Sequence, residues 1–171
     1  MVLEPELAAV FIHGYKTVLL EIGGSQYQDL PVFDQLALAR DKLVRDPGLL
    51  DTALMSLEQK SIEVDARVIA ALRSLKVKRW IYLRDSRAYS VFLDDEDAYA
   101  VLGLTDRLRD IIGDSGAFIE TGLVAFAGRF VCDGIISQVV WLGRGIRGSC
   151  NDDFWRIKAE KRFYLTPGTV V

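Results

Sequence analysis

Residues 118–142 constrain the fold more than any other stretch of this chain. They read F-I-E-T-G-L-V-A-F-A-G-R-F-V-C-D-G-I-I-S-Q-V-V-W-L, the longest apolar, β-rich passage in the sequence. The pairs Gly128-Arg129 and Asp133-Gly134 sit where turns would fold such a run back on itself. The passage therefore predicts the middle of a sheet onto which the upstream chain packs.

Upstream the periodicity is helical. Leu7, Val10, Phe11, Tyr15, Val18, Leu19 and Ile22 recur at helical spacing over residues 5–22, with Gly14 weakening the middle, so a helix followed by a short strand over 17–22 is the alternative. Asp29-Leu30-Pro31 predicts the start of a second helix running to Asp46, with Phe33, Leu36, Ala37, Leu43 and Val44 inward. A third follows around Leu49–Leu57. Ser61 is placed to cap a fourth, with Ile62, Ala66, Ile69 and Leu72 inward.

The pattern changes near residue 77. Residues 78–83 and 88–93 are rich in aromatic and β-branched side chains and flank Arg84-Asp85-Ser86-Arg87, which predicts a hairpin. Residues 99–104 add a strand, Thr105 is placed to cap a helix through Ile112, and a final helix is expected over 152–161 before an edge strand at 163–165. Helices first and strands later predict an α+β fold of one domain, 1–171: a helical part to about residue 76 packed on a mostly antiparallel sheet of about 4–6 strands.

Half of the 171 residues are hydrophobic and 26% are charged, enough apolar material for a core without staples. The net charge of -3 and pI near 5.2 weigh against nucleic acid, which is bound through clustered Lys and Arg. Cys132 and Cys150 form no CxxC, and with one histidine they provide no zinc set, so no metal or other cofactor is expected. They predict reduced thiols in a cytoplasmic protein. The N-terminus shows neither a basic n-region nor a cleavage site, and its apolar run is broken by His13, Lys16 and Glu21, which predicts a soluble chain with no membrane partner.

Several motifs imitate catalytic signatures and fail on a missing part. Gly143-Arg144-Gly145-Ile146-Arg147-Gly148 matches G-x-G-x-x-G, but no acid follows at the spacing a ribose would need. Phe11-Ile12-His13-Gly14 imitates an oxyanion loop without a nucleophile elbow or second histidine. Gly113-Asp114-Ser115-Gly116 lacks a base for its serine. The Asp94–Asp97 run fails the calcium-loop pattern at its sixth and twelfth positions. Glu120 and Asp133 inside the apolar centre are a candidate carboxylate pair, although Asp133 before Gly134 is also an ordinary turn residue. Arg79, Arg84 and Arg87 beside Trp80, Tyr82, Tyr89, Phe92 and Tyr99 read better as a charged, aromatic hairpin than as a nucleic-acid platform.

With no nucleophile–base pair and no ligand cluster, the sequence predicts a non-enzymatic module that binds a protein partner or itself. The alternative is an anionic small molecule or nucleotide at the 143–151 glycine–arginine loop, held by Arg144, Gly145 and Arg147, with Asp133 as a base in a hydrolytic or transferase site.

Overall fold

The computed structural model describes residues 1–171. Helix α1 spans Pro5–Gly23 without interruption, so the helix-plus-strand alternative does not hold. Proline in its first turn costs no hydrogen bond there, and the stripe Ala8, Phe11, Tyr15, Val18, Leu19 is buried. Gly14 is required by a close approach. A Cβ at that position would meet both Val68 methyl groups at 3.1 Å, so the glycine lets α1 lie against the fourth helix.

After one 3-10 turn at Gly24–Tyr27, α2 (Val32–Arg45) and α3 (Gly48–Gln59) pack on α1. The inner face of α2 is Ala39, Arg40 and Leu43, while Phe33 and Val44 are exposed, a correction of the predicted face. The fourth helix, α4, spans Ala66–Arg73 and is capped by Asp65, whose carboxylate accepts the Arg67 amide, rather than by Ser61. Ser61 instead takes a positive φ where the chain leaves α3.

The C-terminal part holds eight strands in one mixed sheet: β1 (Lys76–Asp85), β2 (Ser90–Leu93), β3 (Ala98–Leu102), β4 (Ala117–Phe126), β5 (Arg129–Cys132), β6 (Ser137–Trp141), β7 (Phe163–Thr166) and β8 (Thr169–Val170). The count exceeds the expected 4–6. The pairings are mostly antiparallel, but β3 runs parallel to both β5 and β7. The predicted β1–β2 hairpin forms, with Tyr82 opposite Phe92. The β4–β5 turn uses Ala127 and Gly128, both at positive φ, one residue before the predicted Gly128-Arg129. The short helix α5 spans Leu108–Ile112 with Arg107 at its N-cap, and the Thr105 hydroxyl bonds Asp106 instead of a helix amide.

The pairings β1–β2, β2–β3, β3–β5, β5–β4 and β4–β1 close into a ring. Five strands closed in the order 1-2-3-5-4, with a helix between the third and fourth, have the connectivity of an OB-type Greek-key barrel. Strand alternation sorts the side chains. Trp80, Tyr82, Phe92, Tyr99, Val101, Ile119, Leu123 and Cys132 fill the barrel, with α5 contributing Leu108 and Ile112. Val124, Phe126 and Val131 face outward onto the four-helix layer. Leu83, Val91, Leu93, Ala98 and Ala100 face outward on the other side, where they meet Cys150, Phe154 and Ile157 of the last helix and Phe163 of β7.

That last helix, α6, spans Arg144–Ala159, eight residues earlier than the predicted start at 152. Its buried residues Cys150, Phe154 and Ile157 follow an i, i+4, i+7 stripe. The burial of that stripe overrides the helix-weakening glycines at 145 and 148. Arg84 reinforces the docking, with its guanidinium 4.5 Å from the Phe154 ring and 5.2 Å from the Trp155 ring.

Candidate functional site

The residues singled out from the sequence separate into three places. Asp133 follows β5 and is fully buried. Its Oδ2 accepts the Tyr15 hydroxyl at 2.9 Å and Arg40 Nη1 at 3.1 Å. Its Oδ1 accepts the Thr121 hydroxyl and the amides of Gly122 and Ile135, at 3.0–3.2 Å. Arg40 Nη1 also donates to the Ile135 carbonyl at 2.8 Å. Burial raises the Asp133 carboxyl, opposed by the Arg40 guanidinium and the donated hydrogen bonds. The Tyr15 hydroxyl is pushed well above its usual range by burial and by Asp133, so it keeps its proton and donates. Every one of these partners is an internal residue, and the cluster joins α1 and α2 to the barrel.

Glu120 accepts the Ser137 hydroxyl at 3.1 Å and lines a shallow groove with Arg79 and Gln138 outside the sheet. The two carboxylates therefore do not share a cleft. Trp80, Tyr82, Phe92 and Tyr99 point into the barrel and cannot stack on bases. His13 is exposed on α1. No group of three or more His, Cys, Asp or Glu side chains is placed to hold a metal.

Arg144, Gly145 and Arg147 lie in the first turn of α6. Arg147 donates to the Ser115 hydroxyl at 3.3 Å and packs along Gly116, just before β4, whereas the Gly122–Asp133 contact lies in the middle of that strand. Arg144 is exposed. The structure thus keeps the two arginines together and places Asp133 elsewhere.

The third place is β6, which leads into α6. It pairs with β4, Val140 opposite Phe118 and Trp141 opposite Ala117, and with no other strand. Its second edge faces solvent. Val139, Val140 and Trp141 are 40%, 59% and 52% exposed, and Ile146 on the first turns of α6 is 54% exposed. The Trp141 ring lies near Gly113 at the end of α5. A bulge at Gln138, which has φ 51°, confines the irregularity to the start of the strand. Residues 134–143 contain no charged side chain and no proline. Free edges are ordinarily blunted by short length, a bulge, charge, proline or a covering element; β6 is short and bulged at its start, but its Val139–Trp141 end carries no charge and no proline.

No family model, curated protein or solved structure matches this chain. The arrangement of its own residues therefore carries the functional reading. The sequence predicts a strand over 138–142 but carries no sign that it would be an edge. That depends on β5 stopping at Cys132, which leaves to β6 the edge of the N-terminal half of β4 opposite the one paired with β1.

Proposed function

We propose that this protein is a non-enzymatic interaction module that self-associates by pairing β6 with β6 of a second copy. The observation that carries the reading is the uncharged, proline-free and apolar edge at Val139–Trp141. An antiparallel pair of identical strands about a two-fold axis sets residue i opposite residue j and j opposite i, and the residue on the axis, here within Val139–Trp141, opposite its own copy. A charged edge would oppose its own charge in that geometry. An uncharged edge escapes the penalty, and pairing would join two sheets as β4–β6–β6–β4 while covering valine and tryptophan.

A second point favours interaction over nucleic-acid binding. In OB-type barrels the outer face of the second and third strands receives oligonucleotides. Here Cys150, Phe154, Ile157 and Phe163 cover that face. The test is sedimentation of the protein and of Val140→Lys, which adds a charge at an exposed position. The wild-type mass should rise with concentration toward twice 19.1 kDa, and the variant should remain monomeric with an unchanged circular dichroism spectrum. A wild-type protein that stays monomeric across millimolar concentrations rules the reading out.

One observation favours a second reading close by. The start of α6 has no side-chain cap and no acid in its first turn, while Arg144 and Arg147 stand there. Asp152 and Asp153 lie two turns further on, so they do not compete for that helix end. An uncapped helix start beside arginines suits a phosphate or carboxylate. Inorganic phosphate or a nucleotide should then raise the melting temperature of the wild type but not of Arg144→Gln/Arg147→Gln. An equal rise in both proteins removes this reading.

A further inference from the structure

We infer a second, separate binding site for a single-chain amphiphile with an anionic head, in the cleft where the N-terminal segment, the barrel loops and β7 meet. The cleft has a volume of about 520 Å³, within the roughly 300–1,000 Å³ usual for small-molecule sites. Residues 1–4 with Leu7, the β1–β2 loop (Arg87, Ala88), the β4–β5 turn (Ala127) and side chains of β3, β5 and β7 build it. Leu3, Ala100, Leu102 and Leu165 give it an apolar lining, of which Leu3 and Ala100 are buried.

The charges are what select a ligand. Arg87 and Arg129 both line the cleft and are exposed. Neither appears in any ion pair or side-chain hydrogen bond of the structure, a state they share with Arg45, Arg107 and Arg144, whereas six of the fourteen arginines have carboxylate partners. The one lining acid is Glu4, which is equally unpaired. Two free guanidinium groups against one carboxylate leave net positive charge beside an apolar lining. Guanidinium forks hold carboxylates in a bidentate geometry, so the cleft suits an alkyl chain ending in a carboxylate.

Other occupants fit less well. A peptide strand needs a free backbone edge, but Val2 already bridges Gly103 in parallel, with the Leu3 amide donating to the Gly103 carbonyl at 3.1 Å. Stacked bases need an open aromatic plane, and Tyr89 packs against Phe163 with ring centroids 5.8 Å apart.

Calorimetric titration with decanoate, 1-decanol and acetate tests the site, together with amide chemical shifts that locate it. Decanoate should bind and shift Arg87, Ala88, Ala127 and Gly128. Decanol should bind about tenfold more weakly or worse, the scale of a lost charge-assisted contact, and acetate should give no heat. Arg87→Gln/Arg129→Gln should weaken decanoate by a similar factor without changing the melting temperature, because neither arginine has a partner to lose. No decanoate binding, equal affinities for decanoate and decanol, an unaffected double variant, or shifts confined to another surface would each overturn the inference. Because the β6 edge lies outside this cleft, monomeric Val140→Lys should bind decanoate as the wild type does.

Discussion

The hydroxyl of Tyr15 donates to Oδ2 of Asp133 over 2.9 Å, linking residues 118 positions apart. The same oxygen takes Arg40 from α2. Two helices and the end of β5 thus converge on one buried carboxylate. Removing one partner of a buried charge pair typically costs about 3–5 kcal/mol, because the other is left uncompensated. Asp133→Ala should lower the unfolding free energy in urea by that amount, and Tyr15→Phe by about 1–3 kcal/mol. A loss below 1 kcal/mol for Asp133→Ala would show that the cluster does not hold the two parts together.

Gly122 faces that carboxylate. A Cβ there would lie 2.2 Å from Asp133 Oδ2 and 2.8 Å from Leu75 Cδ1, closer than van der Waals contact allows. Gly122→Ala should therefore destabilise by about 1–3 kcal/mol or more, the range for overpacked cores. The Gly145→Ala exchange on exposed α6 meets nothing within 4 Å and should be neutral or stabilising. Chemical denaturation of the two variants side by side checks the contrast.

The Cys132 thiol lies inside the barrel, and burial pushes it up to about 12. Cys150 is raised by burial as well. Thiolate is the reactive form, so neither cysteine should react with a thiol reagent on the timescale of minutes in the folded protein, and both should react at once in urea. Rapid labelling of Cys132 in native buffer would mean that the barrel opens.

Stability should fall in acid for an identifiable reason. The Glu21 carboxylate is held below its ordinary value of 4.5, chiefly by hydrogen bonds from Lys60 and Ser56. For Asp94, burial raises the carboxyl, but the Lys78 ammonium and the amides of Asp97 and Glu96 outweigh it and hold it below 3.8. A depressed carboxylate contributes stability that is present above its unfolded value and lost as pH falls through its folded value. Melting temperature should therefore drop from about pH 4.5 downward, and Glu21→Gln should flatten part of that slope.

Local patterns made much of the fold legible. The α1 stripe and the aromatic β1–β2 hairpin follow from spacing alone. Closure of the barrel does not, since the β3–β5 pair joins Val101 to Phe130 through a parallel contact with no turn to announce it. The start of α6 was hidden by its glycines, whose low helix propensity lost to the burial of Cys150, Phe154 and Ile157. Arg40 was missed as a core residue because a lone arginine in an amphipathic helix reads as surface. Its spacing from Leu36 and Leu43, four before and three after, was the available signal. Asp133 read as a turn residue or a base, and no linear feature shows that Tyr15 and Arg40 enclose it.

The β6 edge is tested most directly by amide hydrogen exchange of residues 137–141 at increasing protein concentration. One set of these amides is protected by β4 at any concentration, and the others face away from it. Self-association through β6 predicts that the outward amides become protected as concentration rises, in step with the mass, and remain fast in Val140→Lys. Outward amides that exchange rapidly at every concentration, or a dimer that forms while they do so, would contradict it.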